Sequence, residues 1–344
     1  MIIMNKSSNN DKLICENIMR PKVYIAKTGS DLEKSIRESL KWIDYEKIIR
    51  PGNRVFIKPN LTFTVHRQGV TVSPLFLKSL VTVLRDLTPN ITIGESDGGY
   101  GSYTAEEAFY GHNLFDMSKE LGFDLVNLSK CEKEYIDIPV GNKAVPIPLP
   151  KMLLNDVDVF ISVAVPKVHS MTGISLCVKN QWGCIPDKMR LLHHYLFEEA
   201  IIKINKLLNP GINFIDGTYG LTENGPIIGV PLKLDLILAS DNIWAIDSAG
   251  SHIMSFDIRK ARYLSIAKES GLLPSVNEIN FNDNINNFIS DKFFLKRTMW
   301  NRYALFAFKH KFASKIVYDS TIGDILHWIM YATRGRIHMP RFKV

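Results

Sequence analysis

The chain has 344 residues, of which 46% are hydrophobic and 22% are charged. This composition excludes a disordered chain, a collagen-like fibre and a disulfide-stabilised miniprotein, and a chain this long buries a core without a structural metal. The net charge of +7 is concentrated near the C-terminus, where residues 291–344 hold 11 Lys and Arg against 3 Asp and Glu. The rest of the chain is close to neutral.

No C-x-x-C pair occurs among the four cysteines, which are Cys15, Cys131, Cys177 and Cys184. Their scattered spacing indicates a reduced, cytoplasmic protein. The first 21 residues are polar and aperiodic, so they predict a flexible lead and not a signal peptide. No apolar run is long enough for a transmembrane helix. We therefore expect a cytoplasmic protein, either free in solution or peripheral to a membrane.

From residue 22 onward, short β-branched runs alternate with helical stretches. In chain order the predicted elements are strand 23–26, helix 30–44, strand 54–58, helix 74–87, strand 91–95, helix 104–121, strands 123–128 and 158–165, helix 188–208, strands 212–216 and 234–240, and a helix from about 242. This alternation predicts βαβ units and an α/β fold with a mainly parallel sheet. Flanking helices would form Rossmann-like layers around it, with a cleft at the carboxyl ends of the strands.

Two stretches depart from this alternation. Residues 134–150 alternate and contain repeated Pro, which predicts an antiparallel excursion or a flap. Residues 275–290 are rich in Asn and predict a linker. The predicted organisation is a lead over 1–21, an α/β domain over 22–288 with two possible lobes (22–150 and 151–288), and a basic aromatic tail over 289–344.

Ligands of open α/β sheets bind where the strands end, because loops and helix N-termini converge there. Lys58 and Asn60 end the second predicted strand and offer donors to an anionic substrate. The sequence Pro-Asn is also common in ordinary turns. We predict that both residues bind substrate.

A glycine-containing loop follows the third predicted strand. Glu95 and Asp97 precede Gly98 and Gly99, and Thr104 is placed to cap the next helix. Backbone N–H groups at such a loop suit an anion, whereas the two carboxylates suit a cation. The spacing matches neither the dinucleotide-binding fingerprint nor the Walker loop. An anion site, a cation site and a simple turn with a helix cap remain open.

The densest group of titratable and polar side chains follows strand 158–165. Its members are Lys167, His169, Thr172, Lys179, Asn180, His193 and His194. A buried strand has no structural need for such a group, and crowded buried cations have pKa values shifted toward neutrality, as proton transfer requires. Taken singly, each has an ordinary explanation, such as a solvated lysine or a core histidine. Together they predict a site in which His169 and Lys179 are catalytic. Lys167, Thr172 and Asn180 would bind substrate, and His193 and His194 are candidate metal ligands.

Two further carboxylates belong to the later strands and helices. Asp216 ends strand 212–216 before a Gly-rich loop that can fold over a ligand, although Asp-Gly is also a frequent turn. Asp247 falls within an apolar helix and is either a buried structural carboxylate or a member of the site. We assign Asp216 to the catalytic group, where it orients a base or helps to bind a cation.

The order of these motifs resembles the family called domain of unknown function 362. The likeness runs from IKPNL through GESDGG, VPKVHSMTGISLCVKNQWG and IDGTYGLTENGP to ASDNIWAIDSAG, over roughly 22–270. The element K-x-H, then T-G, then K-N-x-x-G is its most specific part. The resemblance implies an α/β fold. Many relatives carry an added ferredoxin-like region, but this chain has no clustered Cys motif for an iron–sulfur cluster.

A more distant similarity is to the catalytic domain of nickel-dependent lactate racemases. His169 and Lys179 stand ten residues apart in the order that family shows, with histidines downstream. The resemblance implies proton transfer by a histidine, a lysine that holds a pincer nucleotide, and a further histidine on nickel. Leu176-Cys177-Val178 replace the glycine-rich approach to the lysine, so only the proton-transfer role is carried over to His169.

The basic tail combines helically spaced apolar residues with lysines over 291–317. Leu295, Met299, Tyr303 and Phe306 share one predicted face. This face packs against the main domain, or it docks on an acidic partner or an anionic membrane surface. Nucleic acid is the least favoured ligand, because no recognised nucleic-acid motif accompanies the charge.

These features lead to one hypothesis and one alternative. The hypothesis is an enzyme doing acid–base chemistry on a small anionic carboxylate or carbonyl substrate. In it, His169 transfers a proton, lysines 58, 167 and 179 hold the anion, and a divalent metal is an open possibility. A serine nucleophile elbow is absent. The alternative is a non-catalytic metal-binding or iron–sulfur-associated accessory protein that docks through its tail.

Overall fold

The computed structural model describes residues 20–29 and 31–334, and these form an α/β protein, as predicted. Most of the predicted N-terminal lead, including Cys15, lies outside the described residues, as does the end of the tail from residue 335. The three described cysteines are unpaired. No described helix has the length and apolar composition needed to cross a bilayer.

Twelve strands are present in the described residues. They are β1 (Lys22–Lys27), β2 (Val55–Pro59), β3 (Ile91–Glu95), β4 (Asp124–Asn127), β5 (Lys133–Val140), β6 (Lys143–Pro150), β7 (Val159–Ala164), β8 (Lys167–His169), β9 (Gly173–Ser175), β10 (Ile212–Thr222), β11 (Val230–Ser240) and β12 (Asn280–Phe281). The hairpin β5–β6 is antiparallel, as predicted for 134–150, and forms a separate sheet.

The α-helices of the described chain also number twelve. They are α1 (Leu32–Trp42), α2 (Pro74–Arg85), α3 (Ala105–Gly111), α4 (Leu114–Leu121), α5 (Lys151–Asn155), α6 (Cys177–Asn180), α7 (Phe197–Leu208), α8 (Ile243–Ile253), α9 (Arg262–Glu269), α10 (Met299–Lys309), α11 (Lys311–Tyr318) and α12 (Thr321–Arg334).

The main sheet has the strand order β12-β1-β11-β10-β7-β2-β3-β4. The run from β10 to β4 is parallel, whereas β11 lies antiparallel to both β10 and β1. Short strands β8 and β9 extend from β10 beside the end of β7. The carboxyl ends of β2, β3, β7 and β8 therefore meet at one edge of the sheet.

The central strand β7 is buried along its whole length, because helices cover both faces of a parallel sheet. Its side chains alternate between the two layers: Phe160 packs in one hydrophobic core, while Ile161 and Val163 pack in the other. This explains why the strand is a continuous apolar run in the sequence.

Three predicted elements differ from the observed ones. The predicted helix 104–121 is split into α3 and α4, because Asn113 adopts a left-handed conformation with φ 57°. The predicted helix 188–208 is α7 preceded by a 3₁₀ helix over Arg190–Leu196. Strand β10 does not end at Asp216 but continues to Thr222 across an irregularity after Gly217. Asp216 therefore lies inside a strand and not at a strand exit.

The Asn-rich stretch predicted as a linker is attached to the sheet. The Asn282 side chain accepts a hydrogen bond from the Ile25 N–H (2.6 Å) and donates one to the Ile25 carbonyl oxygen (2.9 Å). Ile285 and Phe288 are buried in the core. An amide side chain that satisfies both backbone groups of one residue extends the edge of the sheet, so this stretch is part of the α/β body.

Candidate functional site

A cavity of about 840 Å³ lies at the edge where the parallel strands end. We call the charged and polar residues at this edge the cavity floor. They are Lys58, Glu95, His169, Lys179, Asn180 and Arg190. Loop 224–228 and helices α10–α12 supply the cavity walls. The cavity therefore combines a polar floor with walls built largely from the C-terminal helices.

Lys58 and Glu95 form a buried ion pair in the floor. The Lys58 Nζ lies 2.7 Å from the Glu95 Oε2, and the two side chains are only 1% and 7% exposed. The same carboxylate accepts hydrogen bonds from the Leu61 and Ser96 N–H groups. Gly183 lies directly above the pair, since a Cβ there would be 3.0 Å from the Lys58 Nζ. The Glu95 carboxylate thus neutralises the charge of Lys58.

An amide network fixes the floor beside this pair. The Asn180 Nδ2 donates to the Lys58 carbonyl oxygen (2.9 Å) and lies 3.2 Å from the Ser162 Oγ. The Asn60 Nδ2 in turn lies 3.4 Å from the Asn180 Oδ1. Lys167 does not line the cavity; its Nζ donates to the Asn60 Oδ1 (2.8 Å) and to the Val70 carbonyl oxygen. Lys167 therefore orients Asn60 from outside the cavity and does not contact a ligand in the cavity itself.

The backbone sets the protonation state of His169. Its Nδ1 accepts hydrogen bonds from the Met171 N–H (3.1 Å) and the Thr172 N–H (3.3 Å). An imidazole that accepts at Nδ1 carries its proton on Nε2. Burial, together with the charges of Lys179 and Lys167, holds the pKa of His169 well below its usual value. The ring is therefore neutral and has an N–H to donate.

Lys179 is the lysine of the floor that has no carboxylate partner. No ion pair of the described residues involves it, and its Nζ lies 5.8 Å from the centroid of the Phe197 ring. Burial, with the neighbouring charge of Arg190, lowers the pKa of Lys179 to about 8. A lysine with this pKa exchanges protons near neutral pH.

Helix α6, which carries Lys179, is held by a buried carboxylate. Asp247 of α8 accepts hydrogen bonds from the Cys177 N–H (2.8 Å) and the Val178 N–H (3.1 Å). These N–H groups have no partner within the helix, because they belong to its first turn. Asp247 is thus a buried carboxylate that positions α6, and it does not line the cavity.

An aromatic stack joins the floor to the C-terminal helices. The His194 ring lies 5.5 Å from the Trp182 ring and 4.3 Å from the Phe308 ring, centroid to centroid. Burial and the charge of Lys179 hold the pKa of His194 well below its usual value. Among the cavity residues of the described chain, the Trp182 Nε1, the His194 Nδ1 and the Asn224 Oδ1 are buried without a hydrogen-bond partner. Buried polar atoms usually have partners, so these atoms are placed to meet a ligand or water.

The structure places other predicted site residues away from the cavity. The Asp216 carboxylate accepts from the Ser73 N–H (2.7 Å) at the start of α2 and from Thr218, so it stabilises the helix N-terminus and the irregular part of β10. The Thr172 Oγ1 donates to the Ile174 carbonyl oxygen. Asp216 and Thr172 thus have structural contacts in place of the catalytic and binding positions expected for them.

The glycine loop after β3 is divided between the cavity and the core. Gly99 lines the cavity, whereas Gly98 and Asp97 do not. The Asp97 Oδ1 accepts from the Ala105 N–H (3.0 Å) and from the Asn127 Nδ2 (2.9 Å). Of the three interpretations open for this loop, the contacts of Asp97 fit the turn with a helix cap.

The two candidate metal ligands have separate partners. The His193 Nε2 faces the Asp187 carboxylate at 3.6 Å, while His194 belongs to the aromatic stack. No group of three His, Cys, Asp or Glu side chains in the described chain is arranged to hold a metal ion. The described residues around His193 and His194 therefore do not fit a bound metal ion.

Several cavity residues were not predicted as site residues. Arg190 lines the floor, and its Nη1 donates to the Asp97 carbonyl oxygen (2.8 Å). It stands within the stretch 165–196, so its charge was visible in the sequence. Asn224 and Gly225 come close because the Ser170 N–H donates to the Gly225 carbonyl oxygen. Nothing in the local sequence indicates that contact.

Three of the four residues of the predicted apolar face of the tail are exposed, whereas Leu295 precedes α10 and packs against the core. Met299, Tyr303 and Phe306 are 69%, 65% and 62% exposed, whereas Ala307 and Phe308 are buried. The side of α10 that packs on the body is thus the one opposite the predicted face.

A mostly parallel sheet with a cavity at its strand ends defines the class: an α/β protein with its candidate site at that edge. The chain belongs to the family described as a domain of unknown function, DUF362, whose sequence model matches residues 55–252. This match covers more than half of the chain and confirms the resemblance inferred from the motif order.

Individual relatives are more distant. A thylakoid-associated protein of Synechocystis sp. is 25% identical over 242 residues, which is 68% of this chain and 73% of that protein. The lactate racemase apoprotein of Thermoanaerobacterium thermosaccharolyticum is 15% identical over 56% of this chain, with a TM-score of 0.35. A protein of Thermotoga maritima is 15% identical over 55% of this chain, with a TM-score of 0.34. The chain spans about half the length of each of these two solved structures.

Proposed function

We propose that this protein is an enzyme that moves a proton on an anionic substrate, next to a carboxylate or carbonyl group. One observation carries the proposal: His169, Lys179 and Arg190 line a single cavity, and Glu95, the only acidic residue among the described residues that line it, is already paired with Lys58. His169 is neutral, so of the described lining residues Lys179 and Arg190 are the two cations without a carboxylate partner, and they favour a negatively charged ligand.

The proposed roles follow from hydrogen bonding and charge. Lys179 removes or returns the proton, because the pKa of this lysine, lowered to about 8, lets it carry either state near neutral pH. His169 donates from Nε2 to the oxygen on which negative charge develops, since its Nδ1 is held as an acceptor. This reverses the expectation that His169 itself transfers the proton.

Two other groups bind and orient the substrate. Arg190, which makes no ion pair in the described chain, supplies a fixed positive charge for the substrate anion. Asn60 presents its amide to the cavity in the orientation set by Lys167. Positioning of this kind reduces the entropy cost of reaching the transition state.

Exchange of a substrate proton for deuterium tests this proposal. The protein is incubated in D₂O with short carboxylates that bear an exchangeable proton next to the carboxyl or carbonyl carbon, and NMR follows loss of the proton signal. We expect exchange with at least one compound, and a loss of at least about a hundredfold in Lys179→Met and His169→Gln. Lys78→Met, which changes an exposed lysine, serves as the control. Equal exchange in all four proteins would reject the assignment.

We also propose that the protein works at a membrane surface, on its cytoplasmic side. Two observations support this. The exposed apolar face of α10 is followed by a second one on α12, where Ile322, Ile325 and Ile329 are all exposed. The relative in Synechocystis is named as thylakoid-associated. Exposed lysines between these faces suit anionic lipids.

Co-sedimentation with vesicles tests the membrane proposal. We expect the protein to bind vesicles that contain about 30% anionic lipid and to bind neutral vesicles weakly. Ile322→Asp with Ile325→Asp should release the protein, and Leu75→Asp, on a remote exposed residue, should not. Failure to bind anionic vesicles, or release by Leu75→Asp alone, would contradict it, and the tail would then be tested for an acidic protein partner.

A further inference from the structure

The chemistry of the cavity lining changes from its floor to its walls. The floor carries His169, Lys179 and Arg190, whereas the walls are mainly aliphatic and aromatic. The wall residues that matter here are Leu191, Ile227, Ile228, Ala304, Phe306 and Val317. A substrate no larger than a short carboxylate would occupy the floor alone and leave these walls in contact with water.

The walls continue into the exposed apolar face of the tail. Tyr303 and Phe306 line the cavity and are also more than half exposed. Met299 lies one turn before Tyr303 in α10, on the same face. Neighbouring exposed apolar side chains beside a cavity mark a candidate binding surface. The cavity therefore opens beside the exposed apolar side chains of α10.

Contacts within the fold hold the walls in place. The Ser314 Oγ of α11 donates to the Leu191 carbonyl oxygen (3.1 Å), and the Arg297 Nε donates to the Ser170 carbonyl oxygen (2.7 Å). Phe308 packs into the core beside His194. The apolar walls are therefore a fixed part of the cavity.

We propose that the ligand of this cavity is an amphiphilic anion: a carboxylate or phosphate head on one hydrocarbon chain. The head lies between Lys179 and Arg190, and the chain runs along α10 and α11 toward the exposed apolar face. This inference rests on the proposed function for the position of the head. The inference adds the chemical class of the substrate, which is an anion attached to a lipid-like chain.

The volume of the cavity and the nature of its walls agree with such a ligand. A cavity of about 840 Å³ falls within the range of sites for ligands larger than a short acid. Each methylene buried against the walls should tighten binding about fourfold. An anion without a chain would lose this contribution entirely.

Calorimetry with alkyl phosphates, each kept below its micelle concentration, tests the inference. We expect octyl, decyl and dodecyl phosphate to bind in increasing order, with dodecyl phosphate at least tenfold tighter than octyl phosphate and far tighter than inorganic phosphate. Dodecyltrimethylammonium, with the same chain and a positive head, should not compete. Equal affinity for inorganic and dodecyl phosphate, or tight binding of the cation, would overturn the inference.

Variants separate the chain site from the floor. Ala304→Trp and Ala313→Trp, on two different helices, should each weaken dodecyl phosphate binding at least tenfold and leave inorganic phosphate binding unchanged. Lys179→Gln should weaken both. If alkyl phosphates bind as expected but no deuterium exchange occurs, the proposed chemistry fails and the ligand class stands. If short acids exchange and chain length has no effect, the ligand class fails alone.

Discussion

Removing the ammonium group of Lys58 should lower the free energy of unfolding far more than the loss of an exposed ion pair would. Lys58→Met keeps the length of the side chain but leaves the Glu95 carboxylate buried without its cation. That carboxylate would keep only the N–H groups of Leu61 and Ser96. Breaking a buried pair by removing one partner costs about 3–5 kcal/mol, because the remaining charge is uncompensated.

A second substitution separates the charge from the packing. In Lys58→Met with Glu95→Gln, the amide oxygen still accepts an N–H hydrogen bond but no charge is buried, so most of the lost stability should return. Lys78→Met is the matched control: its 2.6 Å pair with Glu120 is 44% and 56% exposed and should contribute less than about 1 kcal/mol. Urea unfolding followed by circular dichroism gives all three values. If Lys58→Met costs no more than Lys78→Met, the account of the cavity floor is wrong.

Three further predictions concern the elements around the site. Asp247→Ala leaves two buried N–H groups of α6 without an acceptor and should cost about 1–3 kcal/mol in urea unfolding, with a smaller loss for Asp247→Asn. Gly225→Ala would place a Cβ against the Val168 carbonyl oxygen and should lower the melting temperature, whereas Gly29→Ala, with open space around it, should not. Binding of sulfate, measured by calorimetry, should weaken as pH rises through about 8, because Lys179 then loses its charge, and Lys179→Arg should abolish this pH dependence.

The sequence predicts the sheet and one part of the site for the same physical reason. Continuous apolar runs such as residues 158–165 mark strands covered on both faces, and the carboxyl ends of parallel strands meet at one edge. Lys58 lies at the end of β2 and His169 at the end of β8, so the topology brings both to that edge. Lys179 lies on α6, which also needs the contact of Asp247 with its first turn.

Asp216 shows where the local sequence pattern fails to predict the end of a strand. Asp-Gly after an apolar run resembles a turn, but β10 continues past it because pairing with β11 holds the backbone extended. Asp216 stays level with the carboxyl end of β7, where Ile215 pairs with Ala164, but the Ser73 N–H at the start of α2 occupies its carboxylate. Pairing of this kind depends on residues distant in sequence, and no single window of the chain reveals it.

The walls of the cavity show the same limit on a larger scale. Helical spacing predicts α10 and marks Met299 and Tyr303 as its apolar face, yet the opposite side of the helix packs on the body. The contact that fixes its neighbour α11 joins Ser314 to Leu191, 123 residues apart. Amphipathic spacing identifies an apolar face, but it does not say whether the protein body, a ligand or a membrane covers that face.

A direct titration of Lys179 tests the central claim that the cavity floor lowers the pKa of a lysine for proton transfer. Carbon-13 NMR of the lysine Cε resonances, assigned by their loss in Lys179→Arg, gives the midpoint without any substrate. We predict a midpoint at about 8 for Lys179. A midpoint near the ordinary value of 10.5 would show that the lysine is solvated like any other, and would contradict the proposed chemistry.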